Sequence, residues 1–499
     1  MAIIFSQRQM TSRARIVGAG MFSALAVAAL IGLSASGASA ANSCVDVHGK
    51  HGCVTTIQVA IDAVSSPNTT ITINPGTYTA ICAAHGCSVA VINGAASNGA
   101  SLAGLTLQCG NGRGSRSVIL DATGVNHAVL VSAENGVKIA GCLAEHAARE
   151  GILVENSDSV DIANNEVIDN DQAMGAQLGL GMPPCPTFLP PGGGVLQCCP
   201  DAFASGPGNF PNDNDDCGEG IHFRSVTNSV IEGNLVHDNI GGILFTDETG
   251  PNASNLVSNN TSRDNTKFGG DCGVTLASHI ACAPGSNDFT GCTLAPIGTP
   301  GGVSHNVVDG NLTQDNGASG IGMFANPGIP PGSATTANGN LISNNTVKNN
   351  GQSGIAIHVH AANGSADNNV IVGNTVSGNG GDAEATGAGT PPGLGIEVLS
   401  NSSFGVPFDP ASPIVGTTIS HNNVSNEAID IWVGNNATEA SAMLNNLKGT
   451  DASGVTNGGT GAVTATDNYW GCPQGPGASG CSSTSGTVLS SPFLSKPAK

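Results

Sequence analysis

Glu155, His222 and Arg224 are the residues in this chain best placed to do chemistry together. Each lies in a short segment of the form Gly-Ile-x-apolar, and Glu219 opens the second of these segments. Asp247 and Glu248 close the third. Strand side chains alternate between faces. With Ile152/Val154 and Ile221/Phe223 turned inward, Glu155, His222 and Arg224 must point outward. Neighbouring strands lie about 4.8 Å apart, which puts Glu155 within reach of Arg224. Abstraction of a proton beside a carboxylate needs a base and a cation that neutralises the carboxylate. His222 or Arg224, with Glu155, could act as catalytic residues, and Glu219, Asp247 and Asp216 could hold Ca²⁺. No other cofactor is expected. The competing reading is an ion pair between strands, which clusters charge without catalysis. As an outward residue, Arg224 would support no core.

A second group lies further along. His358-Val359-His360 could put two imidazoles on one strand face, with Glu397 one repeat on. Asp430 and Trp432 follow, and Trp432 could stack a sugar ring. His358, Glu397, Asp430 and Trp432 are therefore candidate substrate-binding residues, while two imidazoles without a third ligand are weak evidence for a metal. Asn212, Asn214 and Asp216 alternate like the start of a calcium loop, but Cys217 stands where that motif requires Gly. A polar turn explains the same residues.

The elements that carry these groups are repeats. An apolar residue is followed three positions later by Asn, then by a small or apolar residue and a second Asn. The copies are Ile162-Asn165-Val167-Asn170, Ile231-Asn234-Val236-Asn239, Val257-Asn260-Ser262-Asn265, Val308-Asn311-Thr313-Asn316, Ile342-Asn345-Val347-Asn350 and Ile371-Asn374-Val376-Asn379. A seventh copy has Ile419, Asn422 and Val424, with Glu427 in place of the second Asn. No stretch of helical periodicity accompanies them. Short β-branched strands with Asn and Gly corners, stacked in parallel, predict an all-β, single-stranded right-handed parallel β-helix. Asn tolerates left-handed backbone angles at corners and can bond to the Asn of the next turn as a ladder. The inward sets continue through Ile243/Phe245, Val274/Leu276, Ile321/Met323, Ile355/Ile357, Ile396/Val398 and Ile429/Ile431.

Residues 1–40 read as a signal peptide: Arg8, Arg13 and Arg15 precede the apolar stretch Val17–Leu33, and Ala38-Ser39-Ala40 suits cleavage. All 15 Cys lie beyond it, as in an oxidising compartment, and close spacing suggests the pairs Cys44/Cys53, Cys82/Cys87, Cys272/Cys282 and Cys472/Cys481. An odd number leaves at least one thiol free or paired between chains. Losing three Arg with the signal takes the formal charge from −21 to −24. So acidic a chain is a poor nucleic-acid binder. With 3 % aromatic residues it lacks an extended stacking platform. No membrane span is expected after signal removal, and the mature chain is expected to be a monomer, secreted, periplasmic or at the cell surface.

Two segments carry a resemblance. Ile57-Gln58-x-Ala60-Ile61-Asp62, followed by Ile71-x-Ile73-x-Pro75-Gly76-Thr77-Tyr78, resembles the opening segment of the pectin-lyase-like superfamily, with a short α-helix capping the solenoid. Asp467-Asn468-Tyr469-Trp470-Gly471, with Gly475-Pro476-Gly477, resembles the closing segment of its secreted bacterial members. The resemblance implies one β-helix domain over residues 41–499, with loop insertions near 171–217, 277–304, 325–338, 380–393 and 399–416. It implies a groove for an extracellular polysaccharide over the Gly-Ile sheet. The active-site patterns Arg-x-Pro-x-x-Arg, Trp-Ile-Asp-His, Gly-His-Gly and Asp-Pro-His-Glu are absent, so no catalytic residue carries over from it. The alternatives are a non-catalytic surface or adhesion rod and a periplasmic metal-handling β-helix.

Overall fold

The computed structural model describes residues 45–47, 54–80, 88–110, 116–170, 218–267, 270–278, 301–326, 334–382, 393–400, 411–448 and 453–499. Apolar side chains of three strand types meet along one axis. Ile162, Ile231, Val257 and Val308 come from a 14-stranded sheet, and Val167, Val236 and Val347 from an 11-stranded one. Ile221, Ile243 and Ile355 come from a 12-stranded sheet, and all ten side chains are fully buried. Each turn contributes one strand to each sheet. Stacking is parallel and in register, as in Ile152↔Ile221↔Ile243↔Val274↔Ile321↔Ile355↔Ile396. This is the expected right-handed parallel β-helix. Among the described residues no helix is long and apolar enough to cross a membrane.

The corners are held by asparagine. Asn165, Asn234, Asn260, Asn311, Asn345, Asn374, Asn422, Asn445 and Asn468 form one continuous ladder. The Oδ1 of each accepts the backbone N–H of the previous one at 2.8–2.9 Å. It also accepts that residue's Nδ2–H, as Asn311 does from Asn260 at 3.0 Å. A second ladder runs from Asn170 through Asn239, Asn265, Asn316 and Asn350 to Asn379. A third, Asn255–Asn306–Asn340–Asn369, lies outside the repeat pattern as read from the sequence. The left-handed angle belongs not to the ladder residue but to the one before it: Asn164, Asn259 and Asn344 have φ of 54–56°. Corner bending and ladder bonding thus fall to adjacent residues.

The ends are closed. Helix Ile57–Asp62, capped by Thr56, buries Ile57, Ala60 and Ile61. Gln58 offers its side-chain amide to the open edge, accepting from Val91 N at 2.8 Å and donating to Val91 O at 3.3 Å. Cys472–Cys481 forms the expected local bridge near the other end. Cys109–Cys142 is a bridge the spacing did not suggest. Cys272 is a buried free thiol, so the expected pair with Cys282 does not form; its Sγ lies within the sheet face, under Gly322. The segment 1–40, the pairs Cys44/Cys53 and Cys82/Cys87, and Asp216 lie outside the described residues. So does most of the five insertions.

Two outcomes follow. Asn311→Ala removes the acceptor of Asn260 N–H and Nδ2–H and the donor to Val257 O, all buried. It should cost about 3 kcal/mol by chemical denaturation; a wild-type midpoint would contradict the ladder's role. Glu427 ends the second ladder, accepting from Asn379 N and Nδ2. Burial, opposed by these bonds, lifts its carboxyl to about 7. Its protonated form therefore adds stability that is complete below the unfolded carboxyl pKa and lost as pH rises through about 7. Glu427→Gln should match wild type at pH 4 and exceed it by up to about 3 kcal/mol at pH 8. A gap independent of pH would refute this.

Candidate functional site

The 12-stranded sheet carries the candidate residues, and one glycine per turn sets which of them face out. Gly220 and Gly354 precede the first inward Ile of their strands. A Cβ on Gly220 would sit 2.2 Å from Val236 Cγ1, and one on Gly354 2.5 Å from Val376 Cγ1. The backbone therefore crosses against the neighbouring strand here, and simple alternation breaks. The residue before the Gly points outward, with the residues after the first and second inward side chains. Glu150, Glu219, Ser353 and Leu394 occupy this extra outward column, which period-two alternation assigns inward.

The break corrects the last predicted strand. The register pairs Ile396 with Ile431 and Val398 with Val433, so the inward pair is Ile431/Val433. Ile429 belongs to the extra outward column and packs with Leu394, Leu399 and Trp432. Asp430 takes the Gly position, opposite Gly395, and is fully buried. It is not an outward substrate contact. Trp432 is outward and half-buried, its ring lying over Gly434 and Gly458, where a Cβ would approach it to 2.3 and 2.8 Å.

The structure brings Glu155, His222 and Arg224 together as expected, in a denser network than the spacing suggested. Glu155 pairs in register with Arg224 and forms an ion pair with it. Ser132 donates to Glu155 at 2.8 Å, and Arg224 Nε lies 3.4 Å from Glu248. His222 Nε2 lies 2.8 Å from Thr246 Oγ1, and its Nδ1 is 3.6 Å from Glu150. His127, from strand His127–Ser132, approaches the other oxygen of Glu150 at 2.8 Å. His127 and Glu150 thus belong to the site. Sequence reasoning missed His127 because its strand lacks the Gly-Ile pattern.

Electrostatics follow burial. Burial opposes ionisation of Glu150, but Arg149, His127 and His222 outweigh it and hold the carboxyl well below the usual range. Glu155 is likewise lowered, burial being overcome by Arg224 and Ser132. Burial disfavours the Arg224 cation, yet Glu248 and Glu155 raise its pKa further. Arg224 is therefore not a free surface cation. It neutralises two carboxylates, and its loss would cost stability, contrary to the expectation for an outward residue.

Of the expected Ca²⁺ ligands, Glu219 and Asp247 are described and Asp216 is not. Asp247 is fully buried and accepts from Ser278 Oγ at 2.9 Å and Gly302 N at 2.8 Å, pinning the chain beyond its strand. Glu219 lies over Gly241. Neither shares a metal-sized cluster with a third described ligand.

The second group converges differently. His358 and Glu397 do meet, with Nε2 to Oε1 at 3.0 Å. Asp382 joins them, 3.8 Å from His358, from the turn after Asn379. Nothing in its spacing marked it. Burial and Asp382 raise the Glu397 pKa against the pull of His358. Phe324 packs edge-on to His358 at 5.4 Å between ring centres. Along this face Glu155, Arg224, Phe324 and Trp432 reach solvent, whereas Leu244, Ala277, Ala356 and Leu399 between them are buried.

No protein-family model matches the chain, and no curated protein matches it. Solved structures with a similar course are parallel β-helices of low identity. The Dettilon tailspike protein is 18 % identical at a TM-score of 0.44, over 81 % of this chain and 65 % of that one. An α-1,3-glucanase from Streptomyces thermodiastaticus is 13 % identical at 0.42, over 87 % and 65 %. PfbA, a surface adhesin of Streptococcus pneumoniae, is 10 % identical at 0.41, over 88 % and 87 %. This chain thus spans less than two thirds of the tailspike and glucanase chains.

Glu150→Gln should lower stability at pH 7 by about 2 kcal/mol or more, because it removes the charge that His127, His222 and Arg149 surround. A carboxyl with a depressed folded pKa contributes above its unfolded pKa and loses that contribution as pH falls through the folded value. The wild-type advantage should therefore shrink below pH 4 in thermal melts. An advantage that grows on acidification would overturn the assignment.

Proposed function

We propose that this chain binds an extracellular polysaccharide along the outer face of its 12-stranded sheet and, where it processes the polymer, does so at Arg224. One observation carries the reading: Glu155, Arg224, Phe324 and Trp432 are outward side chains that reach solvent along a single face. Six strand steps separate Arg224 from Trp432, about 29 Å at 4.8 Å per step. That length suits several sugar units, with an aromatic face for stacking at one end and a charged, base-bearing cluster at the other. His222, backed by Glu150 and Thr246, is the candidate base, and Arg224 the group that meets an acidic or hydroxyl-rich substrate. The solved proteins of similar course include a glucanase and an adhesin, consistent with either outcome on the polymer. Cys109–Cys142 and Cys472–Cys481, stable in an oxidising compartment, support a location outside the cytoplasm.

A second reading, a non-catalytic surface rod, is favoured by the buried stretch Leu244, Ala277, Ala356 and Leu399 on the same face. A panel of neutral and uronate polysaccharides, read by calorimetry and by the absorbance of unsaturated uronate, separates the two. It is run with and without Ca²⁺, for which Glu219, Asp247 and Asp216 remain the sequence's candidates. Trp432→Ala should weaken polymer binding at least tenfold in protein that keeps a β-rich circular dichroism spectrum. Turnover that survives His222→Ala and Arg224→Ala in folded protein would move chemistry away from this cluster. No binding to any polymer would leave the rod.

A further inference from the structure

His358, Asp382 and Glu397 form a group apart from the Arg224 cluster, four to five strand steps along the sheet. They come from three separate segments: strand Ile355–Val359, the turn beyond the second asparagine ladder, and strand Leu394–Ser400. One donor atom from each lies within 4.8 Å of the other two. All three side chains are buried, at 3, 7 and 0 % exposure. Among the described residues, no other group of three such donors converges in this way.

Burial of two carboxylates beside one imidazole is costly unless something cationic balances them. Ser353 donates to Glu397 Oε1 at 2.7 Å and holds the carboxylate in place. The other oxygen, Oε2, is buried with no hydrogen-bond partner. A carboxylate oxygen left unsatisfied beside an imidazole and a second carboxylate is a donor set awaiting a cation. The spacings suit a small divalent ion. His358 lies 3.0 Å from Glu397 and 3.8 Å from Asp382. Tetrahedral bonds of about 2.0–2.2 Å to zinc place ligand atoms about 3.3–3.5 Å apart, between these two values. An imidazole with two carboxylates suits a borderline ion of the zinc class better than the all-oxygen shell of Ca²⁺.

We propose that His358, Asp382 and Glu397 bind one divalent zinc-class ion, with a fourth position left for water or a ligand oxygen. Ser353 orients Glu397, and the Phe324 and His360 rings, 5.4 and 5.2 Å from that of His358, fix the imidazole. The inference does not depend on polysaccharide binding, because it is read from metal affinity alone.

The test uses the full mature chain, stripped with chelator and then titrated with ZnCl₂ by calorimetry, with melting temperature as a second readout. One zinc per chain with micromolar or tighter affinity is expected, with a rise in melting temperature of several degrees at saturating zinc. Ca²⁺ at the same concentration should produce neither effect. His358→Ala and Glu397→Gln should each weaken zinc binding at least tenfold. Asp382→Asn, which keeps the side-chain shape, should do the same, and it serves if either of the others fails to give a β-rich circular dichroism spectrum. Stoichiometric zinc that is unaffected in the folded variants would place the ion elsewhere and overturn the proposal. So would the absence of zinc binding in wild type.

Discussion

The asparagine ladders are the constraint on which the rest depends. A parallel β-helix satisfies its strand backbones by stacking, but each corner interrupts the stack and would leave N–H and C=O groups buried without partners. Asparagine resolves this because its amide carries both a donor and an acceptor. In each turn Oδ1 takes the N–H of the previous ladder residue, and Nδ2 gives a hydrogen to a carbonyl beside it, as Asn345 does to Val308. Leucine has neither function. Ser229 starts the third ladder by accepting from Val160 N and donating to the nearby Thr227 O, and Glu427 ends the second with a carboxyl whose pKa is lifted to about 7.

The ladders also dictate the outer face of the 12-stranded sheet. A tightly held second corner lies directly against the start of each strand from Ile152–Glu155 to Leu394–Ser400, and glycine occupies the crossing in all of them. The glycine breaks the alternation of side chains and turns an additional column outward. Without that column Glu150 would not meet His127 and His222, and Ser353 would not reach Glu397. Where the second ladder ends at Glu427, the glycine rule ends too, and Asp430 occupies the crossing. The chemistry of the outer face is thus a consequence of how the corner is built.

The outer face is a set of buried polar networks joined to the surface at few points. Carboxylates are retained there because each is matched: Glu150 by two imidazoles and Arg149, Glu155 and Glu248 by Arg224. Such matching makes the face rigid and keeps it from dissolving into a solvated charge cluster, at the cost of desolvation. At His358 two carboxylates and one imidazole converge within 4.8 Å.

How much was legible in the residues follows from distance along the chain. Repeated Asn pairs, inward apolar pairs and the contact of Glu155 with Arg224 all depend on periodicity and on stacking of like positions, and both are local properties of the repeat. The capping helix and the Cys472–Cys481 bridge are local as well. The inclusion of His127 and Asp382, the burial of Asp430 and the free Cys272 were not legible. Each depends on a break in periodicity or on a loop returning to a distant strand. The amino-acid sequence alone determined the solenoid and its strand stacking, because identical corners repeated in series admit one way to bond to each other. Only the tertiary structure decided which polar groups share a site, because the glycine crossings shift the phase of each strand and the loops between turns have no repeat to constrain where they return.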